Sequence, residues 1–353
     1  MSGEPSMGGT LQKAAQAKAA PTPKPLVAML DRQAPILVCV VLALIGLLAI
    51  GAPSTWLTLT LAGLAMGTLI FIIASGLTIV FGLMDVINFG HGAFVTIGAY
   101  MGYATLAALP GLAGAEGALP NLAAILAAAL IAMLVTGILG LAFERIILRP
   151  VYGSHLKQIL VTTGGLIILQ QLTIVVFGPV AIHLDRPPLL KGALVYGDTI
   201  IESYRIVAVI IGVALLIALK LLMTRTKIGL LVRAGVEDKE MVEALGYRIR
   251  RLFIGVFALG SAFAGLGGLM WGLYQETVDV GLGSETLILA FIVVIIGGLG
   301  SIEGCFVGAL LVGLVASYTA FLAPKLALVS NIALMLAILM WRPQGLYGVG
   351  KTR

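Results

Sequence analysis

The residues able to do chemistry in this chain fall into a few short clusters. In Gly82-Leu-Met-Asp85-Val-Ile-Asn88-Phe-Gly90-His91-Gly92 an acid, an amide and an imidazole stand three apart, and glycines interrupt any helix around them. One reading is a helix break inside the membrane, with Asn88 capping the next helix and freed N–H groups facing a carboxylate. The plainer reading is a polar turn between two apolar runs. A charge at mid-bilayer costs about 2.5–3.5 kcal/mol on insertion scales, which favours the turn. Gln170 and Gln171 stand in the middle of another apolar run. Their amides have donors and acceptors that lipid cannot satisfy, so they either hold helices together or line a path, and holding helices is the safer expectation for both.

The third cluster is the longest polar stretch, 226–252. Between Gly235 and Gly246 it has acidic residues early (Glu237, Asp238) and a glycine where a helix would stop. Met241, Val242 and Leu245 are expected to share one face of this short helix, with Lys239, Glu240 and Glu243 away from it. Such a helix has two uses: lying flat on anionic lipid, or inserting its apolar side chains into a partner's groove.

Other chemistry is missing or accidental. The segment 345–352 literally fits G-x-x-x-x-G-K-[ST], but a phosphate cradle needs a strand before it and a helix after it, and the sequence ends at Arg353. No ATP chemistry is expected of this chain. His91, His155 and His183 are far apart, and Cys39 and Cys305 both lie in apolar runs. No metal site, nucleophile or catalytic set is evident, so an enzyme is not expected.

The surroundings of these clusters fix the class. Of 353 residues 60% are hydrophobic and only 11% charged, with mean hydropathy +1.10. Soluble domains carry about 25% charged residues, so this chain faces lipid or itself. The positive balance, 22 Lys+Arg against 16 Asp+Glu, sits in short connections and reads as membrane orientation rather than nucleic-acid binding. Apolar runs at 35–52, 57–82, 89–109, 121–143, 158–178, 205–223, 253–275, 286–300, 304–322 and 326–341 predict an all-α membrane protein of about ten helices. The eighth and tenth are short, so eight spans plus broken pieces is the alternative. Residues 1–34, rich in Ala, Pro and Lys, are expected to form a flexible tail. The domain proper is expected at 35–343, with a short tail from 344.

Basic residues crowd 144–157 and 220–252 and recur at Arg342, Lys351 and Arg353, whereas 276–285 has three acids and no base. Ten spans with both termini cytoplasmic put every basic connection on the cytoplasmic side. Glycines four apart (Gly63/Gly67, Gly98/Gly102, Gly268/Gly272, and the ladder Gly300/Gly304/Gly308) predict close helix–helix approach.

Three stretches carry a resemblance. GLTIVFGLMDVINFGHGAFVTIGAYMG at 76–102, IGLLVRAGVEDKEMVEALGYRIRRL at 228–252, and FIVVIIGGLGSIEGCFVGALLVG at 291–313 with RPQGLYG at 342–348 resemble the membrane subunits of ABC importers for branched-chain amino acids. They are more similar to the first of the two paired permeases. The resemblance implies a bacterial inner-membrane permease working with a second, homologous permease. Two cytoplasmic ATPases would bind the ATP and Mg, and an external solute-binding protein would deliver the cargo. It turns the choice at 226–252 towards a protein partner: Arg233, Glu240, Glu243, Ala244 and Gly246, with Met241 and Leu245, would contact the ATPase. Relatives of this type also carry urea, short amides or small aromatic acids. The competing class is an ATP-independent carrier, which would need buried titratable groups along its path; beyond Asp85 and His91 few candidates exist. The long start at 1–34 departs from the family's pattern.

Overall fold

A computed structural model describes residues 25–197, 199–237 and 239–347. Each of the ten apolar runs is a helix. They are α1 (Pro25–Ile50), α2 (Pro53–Met84), α3 (His91–Ala108), α4 (Ala118–Phe143), α5 (His155–Phe177) and α6 (Ser203–Arg225), then α9 (Ile249–Gln275), α10 (Leu282–Gly297), α11 (Ile302–Leu322) and α12 (Ala327–Trp341). Between α6 and α9 the polar stretch forms two further helices, α7 (Lys227–Glu237) and α8 (Lys239–Ala244). Among the described residues, six helices are long and apolar enough to cross a membrane, and three apolar helices are shorter. This is a multi-pass membrane protein.

Two boundaries differ from expectation. α1 begins at Pro25 rather than at residue 35, with Pro35 inside it; the residues that follow Pro25, Leu-Val-Ala-Met-Leu, are helix formers, and proline is tolerated in a first turn. Gly300 is not a rung of a helical ladder, because α11 starts at Ile302 and Gly300 turns the chain at φ +82°.

The hydrophobic pattern decides which helices are central. α2 is apolar all round, and 83% of its most apolar stretch is buried; the corresponding figure for α6 is 22%. A helix without a polar face must be surrounded. α2 packs on α9, α11 and α10, and α3 packs on α9, α4 and α10. At the crossings the expected glycines remove the side chain. A Cβ on Gly63 or Gly67 would meet the backbone of Gly313 or Ala309 in α11, and one on Gly98 or Gly268 would meet that of Gly265 or Val95 at the α3–α9 crossing. Backbones that close gain dispersion contact where lipid offers no hydrophobic drive.

The connections gather at two ends. At one end β1 (Ile182–His183) pairs antiparallel with β4 (Thr277–Val278), beside a hairpin of β2 (Ala193–Tyr196) and β3 (Thr199–Glu202). These strands, too short to span lipid, are the only departure from an all-helical chain among the described residues. At the other end the turn at Gly82 touches Gly300, Lys220 Nζ pairs with Glu303 Oε1 at 2.7 Å, and the backbone N–H groups of Leu346 and Tyr347 donate to the carbonyls of Ile296 and Gly297.

Candidate functional site

The break after α2 lies at the end of the bundle that bears 144–157 and 226–252. Asp85 ends α2 in the left-handed region (φ 52°, ψ 41°), its N–H donating to Phe81 O. Its side chain is 76% exposed and 3.7 Å from His155 Nε2. Asp85 thus sits exposed in the turn that ends α2. Asn88 does not cap α3. The first turn is closed by backbone carbonyls of Asn88, Phe89 and Gly90, and the buried Asn88 Oδ1 has no hydrogen-bond partner. The Phe89 N–H donates to Thr162 Oγ1 in α5 at 3.1 Å. His91 is buried, with Nε2 2.9 Å from Ile73 O, and so ties α3 to α2.

The two glutamines part company. Gln170 Nε2 donates to Ser284 Oγ at 2.8 Å, joining α5 to the start of α10. Gln171 is exposed and faces away from the rest of the chain, so the expectation that both hold helices together fails for it within this subunit. Adjacent residues on a helix are about 100° apart and cannot both face one neighbour.

The 226–252 stretch is a helical hairpin rather than one short helix in a loop. α8 ends in a Schellman arrangement: Tyr247 N–H donates to Val242 O, Gly246 N–H donates to Glu243 O, and Gly246 has φ +86°. The expected stop at Gly246 is where the helix stops. The expected single apolar face splits. Val242 is 3% exposed and packs inward, whereas Met241 at 59%, Leu245 at 70% and Tyr247 at 52% face out. Ala244 and Glu243 are exposed too. The side chains of Arg233 and Glu240, both within the hairpin, lie outside the described residues.

Behind the hairpin is a cavity of about 530 Å³, lined among others by Asp85, Glu144, Arg149, Tyr152, Glu243 and Arg250. Glu144 was not a candidate on sequence. It opens a π-helical turn, Glu144–Leu148, that prolongs α4. Such turns shift the phase of a helix by a residue and recur at functional sites. Its carboxylate is 1% exposed. Tyr152 donates its hydroxyl to Oε1 at 2.6 Å, while Oε2 is buried with no partner. Burial, then the bond to Glu144, pushes the Tyr152 pKa up, so this hydroxyl keeps its proton as a donor. The signal available in the sequence was slight: one acid at the mouth of an otherwise basic connection. Among the described residues no group of three or more His, Cys, Asp or Glu side chains could hold a metal ion.

At the opposite end a second polar cluster is centred on Arg186. Arg186, 11% exposed, bonds to Leu273 O and Tyr274 O, pairs with Glu202 and Glu276, and lies 4.9 Å over the Tyr204 ring.

Comparison with known proteins shows what kind of helical membrane bundle this is. The family described as "Branched-chain amino acid transport system / permease component" matches residues 59–339. The chain belongs to this family. It is 29% identical over 294 residues to the high-affinity branched-chain amino acid transport system permease protein BraD of Pseudomonas aeruginosa, covering 81% of this chain and 94% of that one. The permease protein LivH of Escherichia coli K12 is 29% identical over 293 residues, covering 81% and 93%. LivM of the same strain, also a branched-chain amino acid permease protein, is 29% identical over 310 residues, covering 79% and 68%. The fuller cover of BraD and LivH agrees with the resemblance to the first permease type. No solved structure matches the chain.

Proposed function

We propose that this chain is one membrane-spanning subunit of an ATP-driven importer for branched-chain or other hydrophobic amino acids. It pairs with a second permease, receives solute from an external binding protein and is driven by two cytoplasmic ATPases that hold the ATP and Mg. The observation that carries the reading is the hairpin: α8 is stopped by Gly246 and turns Leu245 and Tyr247 outward at the end richest in Lys and Arg. Apolar side chains in water next to charge mark a protein contact more than a lipid one when the segment is this short. By the distribution of Lys and Arg, that end faces the cytoplasm of a bacterial inner membrane. The solute class comes from the names of BraD and LivH.

Closure of the ATPase pair would move α7 and α8, and through Val242 and Ile249, both buried, shift α9 against α3 and α2. Glycine-lined crossings permit such sliding because no side chains interlock there. Asn88, buried with an unpartnered oxygen in the helix break, is the residue of the Asp85–His91 cluster best suited to a polar path. The test is reconstitution with its partner permease and binding protein, with and without the ATPases. Leucine accumulation only with ATPases and ATP is the expected result. Accumulation without them favours the ATP-independent carrier, and ATP-driven uptake of urea or an amide alone reassigns the cargo.

A further inference from the structure

The cavity behind the hairpin contains a carboxylate that no described side chain completes. Glu144 is 1% exposed. Its Oε1 is engaged by Tyr152, and its Oε2 is buried without a partner. Leaving a buried acceptor unsatisfied costs about 1–3 kcal/mol, and more for a charged group, so such an atom is retained where a donor arrives from outside. Glu144, at the end of α4, lines the cavity. Arg149 and Arg250 line the same cavity. Both are exposed, and neither forms an ion pair among the described residues. A volume of about 530 Å³ is within the range of small-molecule sites.

A buried carboxylate oxygen without a described donor and two guanidinium groups with no ion pair among the described residues line one cavity, and together they suit a ligand with a cationic donor at one end and an anion at the other. We propose that this cavity is a binding site for a zwitterionic α-amino acid, separate from the external binding protein and facing the compartment that receives the cargo. The ammonium group donates to Glu144 Oε2, and the carboxylate lies against Arg250 and Arg149. Because Glu243 of α8 and Arg250 at the start of α9 also line the cavity, an occupied site ties the hairpin to the end of α4. Accumulated product would thereby slow the motion of the hairpin.

This inference rests on the importer reading, so the experiment separates the two. The complete complex with its ATPases, without binding protein, is incubated with tritiated leucine, and leucine is also enclosed on the cytoplasmic side of proteoliposomes that import through the binding protein. The expected result is saturable binding by the wild-type complex, at least tenfold weaker in Glu144→Gln and weakened in Arg250→Gln, together with slower import when the cytoplasmic side is preloaded. Leucinamide, which lacks the carboxylate, and 4-methylpentanoate, which lacks the ammonium group, should fail to displace leucine. These analogues test the site in the unaltered protein, so the answer does not depend on the variants folding. Displacement by either one, equal binding in Glu144→Gln, or no binding by a complex that imports leucine normally overturns the inference and leaves the importer reading intact. Loss of ATPase association in Glu144→Gln, with leucine without effect on the wild type, would assign the carboxylate to a basic side chain of the motor instead. A complex that imports no amino acid at all fails the importer reading itself.

Discussion

The two ends of the bundle use charge in opposite ways. At the end carrying the strands, Arg186 is nearly buried and every direction in which its guanidinium points ends on a carbonyl, a carboxylate or a ring. At the other end, among the described residues, Arg149 and Arg250 are exposed without an ion pair, a buried carboxylate oxygen has no donor, and Leu245 and Tyr247 face outward. Folding alone explains the first end, since the Arg186 guanidinium there finds its partners within the chain. It does not explain the second, where the described residues leave groups without a partner. The proposed importer, held together on one side and driven from the other, would need this asymmetry.

Breaking the closed end should cost stability above all. Arg186→Met takes a partner from Glu276 and from the carbonyls of Leu273 and Tyr274, while Glu202 keeps Arg205, a change of about 1–3 kcal/mol. A melt in detergent should show a clearly lowered transition, while the molecules that remain folded keep their ATP used per solute imported. The open end should behave in reverse. Reversing charge at Glu240 and Glu243 together, or placing Asp at Leu245, should leave the melt unchanged and reduce ATP-driven uptake about tenfold or more, equivalent to ~1.4 kcal/mol of lost contact. Co-purification of the ATPases should fall in parallel. Wild-type uptake in the charge-reversed protein would remove the distinction between the ends.

Gly246→Ala sharpens it. The left-handed cap becomes strained by about 1 kcal/mol, enough to fray α8 without unfolding α9. Uptake should fall a fewfold with the overall melt preserved, and faster amide exchange confined to 239–247 would report the cause. The smallest effect is expected of Asp85→Asn. The pair with His155 is exposed on both sides, and exposed pairs contribute about 0–1 kcal/mol. An unchanged melt and unchanged import kinetics fit the rim turn, whereas an altered KM would return Asp85 to the path.

Much of the fold is legible in the sequence because it is written in local pattern. Ten apolar runs give ten helices, the stop at Gly246 is a backbone requirement of one residue, and the glycine pairs of α2, α3 and α9 mark the close crossings. What escapes is what depends on distant partners. Arg186 meets the carbonyls of Leu273 and Tyr274, far away in the chain, and no spacing rule connects them. The partition of Val242 from Met241 and Leu245 is hidden because three apolar residues within five positions fit either of two faces until the body of the protein takes one. α7 is obscured by its glycines and arginine, which read as a linker although the stretch is amphipathic. Glu144 is invisible for a related reason: no local pattern shows that Glu243 and Arg250, about a hundred residues on, come to line the same cavity.

The central claim is that α8 is gripped by a motor made of other chains, and proximity tests it most directly. Cysteine placed at Leu245, in the chain freed of Cys39 and Cys305, should cross-link to the ATPase subunit of the assembled importer, with a yield that changes when ATP is bound. The same cysteine placed at Leu194, an exposed residue of the strand-bearing end, should give no such product. Cross-linking of the ATPase from Leu194 and not from Leu245, or a Leu245 position reached by water-soluble reagents equally with and without the motor, would contradict the account.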